Sequence, residues 1–295
     1  MDGISSVYKD QIVKMMSYAN KDRLITEQNV LQEANKNILP FIDGMVGSLL
    51  QEGSGIDGSE NLVELMEKAK AGSSCLLLLE HYSNFDLPVF NYLTRKTVEG
   101  GDAIADSVIA IAGMKLNEDN PVVSAFAEAY TRIIIYPSRS LMGLDAVKDR
   151  AEFIRSIAIN RASMKVLNAI KVAGKLILVF PAGTRFRPWD PQSTRGVREI
   201  DSYIKSFDYA CLVSLNGKIL RIQKGDMAED EICKDLMRVG ISPVIKCSEF
   251  REKGKSCSRS CSGIEDKKRG CGGYGNGRTR RHAPSRRKEP RKSAR

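Results

Sequence analysis

Residues 75–90 read CLLLLEHYSNFDLPVF. A short apolar run, CLLLL (75–79), gives way within two residues to the polar cluster HYSNFD (81–86), and helix-like LPVFNYLTRK (87–96) follows. The order is buried strand, polar turn, helix. The same order recurs outward from this stretch. Further strand-like runs are SVIAIAG (107–113), RIIIY (132–136), KLILVF (175–180), ACLVSL (210–215) and ISPVIK (241–246). Between them lie helix-like NLVELMEKAKAG (61–72), PVVSAFAEAY (121–130) and a long helical region from about 141 to 173. Short apolar strands alternating with helices predict an α/β fold with a mixed, largely parallel sheet flanked by helices. Ligands of such sheets bind beyond the carboxyl ends of the strands.

Upstream, VYKDQIVKMMSYA (7–19) and ITEQNVLQEANKNILPFIDGMVGSLL (25–50) carry apolar residues at three- and four-residue intervals, which predicts a small N-terminal helical subdomain over residues 1–52. QEGSGIDGSE (51–60) is polar and rich in Gly and Ser, and reads as a boundary. The α/β domain then covers 53–250. From 251 onward the chain holds one Tyr, one Ile and no periodicity, which reads as a disordered basic tail or as a C-terminus altered by a frameshift.

The net charge of +10 belongs to that tail. Residues 251–295 carry 16 Lys+Arg and 4 Asp+Glu, whereas residues 1–250 carry 30 and 32. The body is therefore close to neutral, and the high pI does not point to specific nucleic-acid binding by the folded part. A basic-tailed nucleic-acid-binding protein is the alternative from another class, and nonspecific tail contact with anionic lipid is a further option. No apolar run approaches the roughly 18 residues of a membrane span. The N-terminus has no apolar signal region, so a cytoplasmic protein is expected, with peripheral contact at the inner membrane surface left open. Seven Cys include no C-x-x-C pair, so neither zinc nor any other metal is expected, and no disulfide framework. Cys75 and Cys211 fall in apolar strands and read as buried small hydrophobes.

Three polar clusters follow three of the strands. In HYSNFD, His81 ends a strand and Asp86, five residues on, begins a helix; His81 is the only His before residue 282. A turn between them can set the carboxylate against one ring nitrogen, leaving the other to deprotonate a hydroxyl. In VFPAGTRFRPWDP (179–191), Gly183 and the flanking prolines define a tight loop in which Thr184 is a supporting residue, and Arg185 and Arg187 alternate. Two neighbouring guanidinium groups suit a phosphate. YPSRS (136–140) brings Arg139 to the end of another strand.

Together these clusters resemble the glycerolipid acyltransferase family, whose signatures are an H-x-x-x-x-D box, a block with a basic residue after a strand, and an F-P-x-G-T-R-like box. The resemblance covers roughly residues 60–220 and is nearest to the soluble, plastid-type glycerol-3-phosphate acyltransferases, whose third box AGTRFRPWDP resembles. The family's lysophosphatidate acyltransferases usually carry Glu where Ala182 stands. The resemblance implies transfer of a fatty acyl group from acyl-CoA or acyl carrier protein to the 1-hydroxyl of glycerol 3-phosphate, with 1-acylglycerol 3-phosphate as the alternative acceptor. It implies His81 as base, Asp86 as its partner, and Arg139, Arg185 and Arg187 on the phosphate. Backbone amides near the Asp86 helix start are expected to meet the oxyanion, and no cofactor beyond the thioester co-substrate is implied.

Overall fold

The computed structural model describes residues 3–118, 120–141, 148–225 and 229–260; the side chains of Asn117, Glu118, Arg139 and residues 255–260 lie outside that description. The strands are β1 (Leu31–Gln32), β2 (Gly55–Asp57), β3 (Cys75–Leu79), β4 (Val108–Gly113), β5 (Arg132–Ile135), β6 (Leu176–Val179), β7 (Tyr209–Asn216), β8 (Leu220–Arg221), β9 (Glu231–Ile232), β10 (Arg238–Ile241) and β11 (Ile245–Lys246). Nine of them form one sheet in the order β1-β5-β4-β6-β3-β7-β10-β2, with β11 also paired to β7; β8 and β9 form a separate ribbon. The central run from β5 through β4, β6 and β3 to β7 is parallel throughout. β1, β10 and β11 join antiparallel. The α/β expectation of a mixed, largely parallel sheet is met.

The continuous apolar run of β3 has a direct cause. Cys75, Leu77 and Leu79 pack into the core on one face, with Met45, Leu65 and Phe90. Leu76 and Leu78 pack into the core on the other, with Leu167, Ile200 and Ile204. Both faces are covered by helices, so no position on the strand has a reason to be polar. Each such leucine contributes roughly 1.5–3 kcal/mol by leaving water.

The N-terminal segment departs from the sequence expectation in two ways. Helices run over Ile4–Val7, Lys9–Tyr18 and Leu39–Leu49, but 19–38 is turn and extended chain around β1. The asparagines explain this, because they satisfy the backbone locally in place of helical bonds. Asn29 Oδ1 accepts from Thr26 N at 2.7 Å, its Nδ2 donates to Leu24 O at 2.9 Å, and Asn35 Nδ2 donates to Tyr18 O at 2.8 Å. Secondly, Ile4, Tyr8, Met15, Ile38 and Ile42 lie in the same core as β3 and β7, so residues 1–52 share a core with the sheet instead of forming their own. The polar stretch 51–60 contains β2, which adds to the sheet beside β10.

At the other end, ISPVIK is two strands. β10 stops at Ile241, and the ladder on β7 breaks at Ser242–Val244, where Pro243 has no N–H to give it, before β11 resumes on the same strand. The helix that follows runs Cys247–Ser260, ten residues into the stretch that composition marks as unfolded. Cys247 is fully buried, Phe250 packs beside it, and Arg251 forks onto Asp201 at 2.7 and 2.9 Å. Residues 261–295, the rest of the expected tail, lie outside the described residues.

Candidate active site

Because β3, β4, β5 and β6 are parallel, the segments that leave them emerge at one edge of the sheet. HYSNFD leaves β3, and the Arg185–Arg187 loop leaves β6, its immediate neighbour. YPSRS leaves β5, three strands from β3, a separation of about 14 Å at ordinary strand spacing. Ser138–Leu141 is a single helical turn there; the expected role of the Arg139 side chain falls outside the described residues.

The turn after β3 is organised around one carboxylate. Asp86 opens the helix Asp86–Thr97 and is buried. Its Oδ2 accepts from Tyr82 N at 2.5 Å, from Ser83 N at 2.8 Å, and lies 2.9 Å from His81 Nδ1. Its Oδ1 accepts the Ser83 hydroxyl at 2.9 Å, and Ser83 Oγ in turn accepts Phe85 N at 3.1 Å. A carboxylate oxygen can only accept, so in the neutral imidazole the tautomer with the proton on Nδ1 fits this bond and leaves Nε2 its lone pair. The ring stacks on Phe180 with centroids 4.0 Å apart, and the His81 side chain is 18% exposed. Phe180 directly follows β6, so the imidazole is held from two adjacent strands.

The same bonds narrow one expectation. The amides of Tyr82, Ser83 and Phe85 are turned inward onto Asp86 and Ser83, so they do not face a substrate oxyanion.

The Arg loop is joined to the His loop. Phe186 N donates to His81 O at 2.7 Å, and the Phe186 ring meets Tyr82 edge-on at 6.0 Å. Tyr82 hydrogen-bonds the buried Glu80, which also accepts Leu215 N at 2.9 Å. Burial, followed by the nearby Glu80, pushes the Tyr82 phenol up to about 12, so it stays protonated at neutral pH. Gly183 takes a left-handed φ of 61° and its N–H closes the turn onto Phe180 O at 2.9 Å, a conformation that costs an L side chain roughly 1 kcal/mol. Arg185 and Arg187 therefore flank a residue bonded to the His81 backbone. Thr184, the expected supporting residue, lies half-buried between the turn and Arg185.

The two arginines differ. Arg187 is exposed, while Arg185 Nη1 meets Asp230 Oδ2 at 2.8 Å. The Asp230 side chain is 1% exposed, its Oδ1 accepts Gln223 N at 2.9 Å, and its backbone oxygen accepts Ile4 N at 2.9 Å. Sequence reading passed over Asp230, which lies 45 residues from Arg185 with nothing local to mark it.

Among the described residues, no group of three or more His, Cys, Asp or Glu is placed to hold a metal ion. Cys75, Cys211 and Cys247 are buried, and burial pushes each thiol up to about 12. Two shallow cavities, about 430 and 350 Å³, share Tyr209 and Lys246 at the amino end of β7, the edge of the sheet opposite His81. No described helix is long and apolar enough to cross a membrane.

No protein-family profile matches the chain. It is similar to the chloroplastic glycerol-3-phosphate acyltransferase of Spinacia oleracea, at 26% identity over 149 residues. The match covers 50% of this chain and 28% of that protein.

Proposed function

We propose that the protein transfers a fatty acyl group from a thioester, acyl-CoA or acyl carrier protein, to the 1-hydroxyl of glycerol 3-phosphate. One observation carries the reading: a His81–Asp86 pair 2.9 Å apart, at the carboxyl edge of the sheet, bonded through its backbone to the loop of Arg185 and Arg187. The distant similarity to a plant acyltransferase supports the reaction class.

In this reading His81 Nε2 takes the proton from the acceptor hydroxyl while Asp86 balances the imidazolium charge. The alkoxide oxygen attacks the thioester carbonyl carbon, the C–S bond breaks, and the thiolate leaves with the proton returned from Nε2. Arg187 and the outer nitrogens of Arg185, with Arg139, hold the acceptor phosphate. Holding it fixes the hydroxyl beside the base and lowers the entropic cost of reaction.

The test uses purified full-length protein with an acyl-CoA series, glycerol 3-phosphate and 1-acylglycerol 3-phosphate, following thiol release. His81→Ala is expected to abolish release with either acceptor, and Arg187→Ala, an exposed position, to raise the KM for glycerol 3-phosphate about tenfold at little changed kcat. Wild-type turnover of 1-acylglycerol 3-phosphate alone would replace the acceptor. Turnover by His81→Ala close to wild type would reject the mechanism.

A further inference from the structure

Most large apolar side chains among the described residues are buried or half-buried, and the exposed ones are unevenly placed. Five of the eleven exposed large hydrophobics among the described residues fall between 153 and 172: Phe153, Ile154, Ile157, Met164 and Val172. All but Val172 belong to the 21-residue helix Arg150–Ile170. Ile154 is 57% and Ile157 52% exposed.

They form one stripe. Seven of the exposed positions on this helix, 150, 154, 157, 161, 164, 165 and 168, advance in steps that keep to one helical face, and Phe153 stands at its margin. The opposite face, with Ser156, Ile159, Ser163 and Leu167, packs on the sheet. Interleaved with the exposed apolar residues are Arg150, Arg161 and Lys165, and no acidic residue stands among those seven positions. Glu152 sits to the side, bonded by Tyr136 Oη at 2.8 Å and paired with Arg155.

We infer that this face docks on an anionic lipid surface. Exposed aliphatic side chains ringed by cations match an interface of acyl chains under negative headgroups. Charge disfavours other occupants. A second copy would set this cationic stripe against itself, and residues 261–295 hold 12 Lys+Arg against 3 Asp+Glu, so that segment is repelled as well. Position adds to the case. Asn160 Nδ2 donates to Tyr136 O at 3.0 Å and its Oδ1 accepts Tyr136 N at 2.7 Å, just past the carboxyl end of β5. Ser163 Oγ donates to Ile134 O, within β5. The helix therefore runs antiparallel to β5, and Phe153, Ile154 and Ile157 project beyond the strand ends, at the edge where the candidate active site lies.

Docking here goes beyond the acyl-transfer reading, and vesicle binding does not depend on that reaction. Full-length protein is sedimented with vesicles of phosphatidylglycerol and phosphatidylcholine, and with phosphatidylcholine alone. Partitioning onto the anionic vesicles is expected to exceed that onto neutral ones and to fall about tenfold in Ile154→Asn/Ile157→Asn, both chains retaining residues 261–295. Ile154→Ala/Ile157→Ala, which keeps helix-forming residues, is expected to fall in the same direction with an unchanged thermal midpoint. Equal partitioning of variants and wild type would assign binding to another segment and overturn the proposal. So would equal affinity for the two vesicle types, or no binding to either.

Discussion

Replacing Asp86 by Asn separates the charge of the site from its architecture. The Asn carbonyl oxygen can take the place of Oδ2 and keep the bonds from Tyr82 N, Ser83 N and His81 Nδ1. The amide nitrogen then faces Ser83 Oγ, which accepts as readily as it donates. The fold should lose about 1–3 kcal/mol, because the buried Ser83 hydroxyl hydrogen loses the acceptor it had in Oδ1. Catalysis should lose more. His81 Nδ1 and Asp86 Oδ2 are 2.9 Å apart. With charge centres about 4 Å apart and an effective dielectric near 20, the carboxylate stabilises the imidazolium by about 4 kcal/mol. Removing it should lower kcat about a thousandfold at roughly 1.4 kcal/mol per decade. The assay is thiol release at saturating acyl-CoA and glycerol 3-phosphate, alongside urea denaturation of both proteins. An Asp86→Asn enzyme within about tenfold of wild type would refute the role of the pair. Equal losses of kcat and stability would refute the separation.

Asp230→Asn removes the charge that anchors Arg185; the KM for glycerol 3-phosphate should rise about tenfold with kcat within about twofold, and an unchanged KM would remove Arg185 from the phosphate site. Gly101→Ala would place a Cβ 1.9 Å from Thr94 O, so backbone must shift; a loss of about 2–4 kcal/mol in urea titration is expected, and a loss under about 0.5 kcal/mol would contradict the packing of helix Gly101–Ser107 on helix Asp86–Thr97. The Ser74 hydroxyl and amide, as donors to its carboxylate, hold the largely exposed Asp208 below the usual carboxylate range. A lowered folded value adds stability above the ordinary Asp pKa of about 4 and loses it as pH falls through the folded value. The difference in urea midpoint between wild type and Ser74→Ala should therefore shrink below about pH 4, and a pH-independent difference would exclude this linkage.

The sheet was legible where burial is two-sided. CLLLL, SVIAIAG, RIIIY and KLILVF are apolar because helices cover both faces, and each is a strand within a residue or two of its expected ends. The short edge strands were not legible. β1 and β2 are two and three residues long and carry no periodicity, and β2 hides in a stretch whose glycines read as linker. Asparagine chemistry defeated the helical pattern over 25–38, since apolar spacing does not count what a side-chain amide offers the backbone. At the site, His81 and Asp86 were legible because one turn holds both. Nothing local marks Glu80 or Asp230, whose partners Leu215 and Arg185 lie far away in the chain.

Asp230 also bears on the order in which the protein is made. His81 and Asp86 need only the turn between them, so a nascent chain can form that pair soon after β3 and its helix emerge. Arg185 waits for a carboxylate 45 residues later, and that same residue's backbone secures Ile4, at the chain's beginning. A ribosome-bound chain ending before residue 230 would carry its His81–Asp86 pair beside an arginine loop without its Asp230 partner. The arginine loop beside His81 is thus tethered late in synthesis, when Asp230 meets both Arg185 and Ile4.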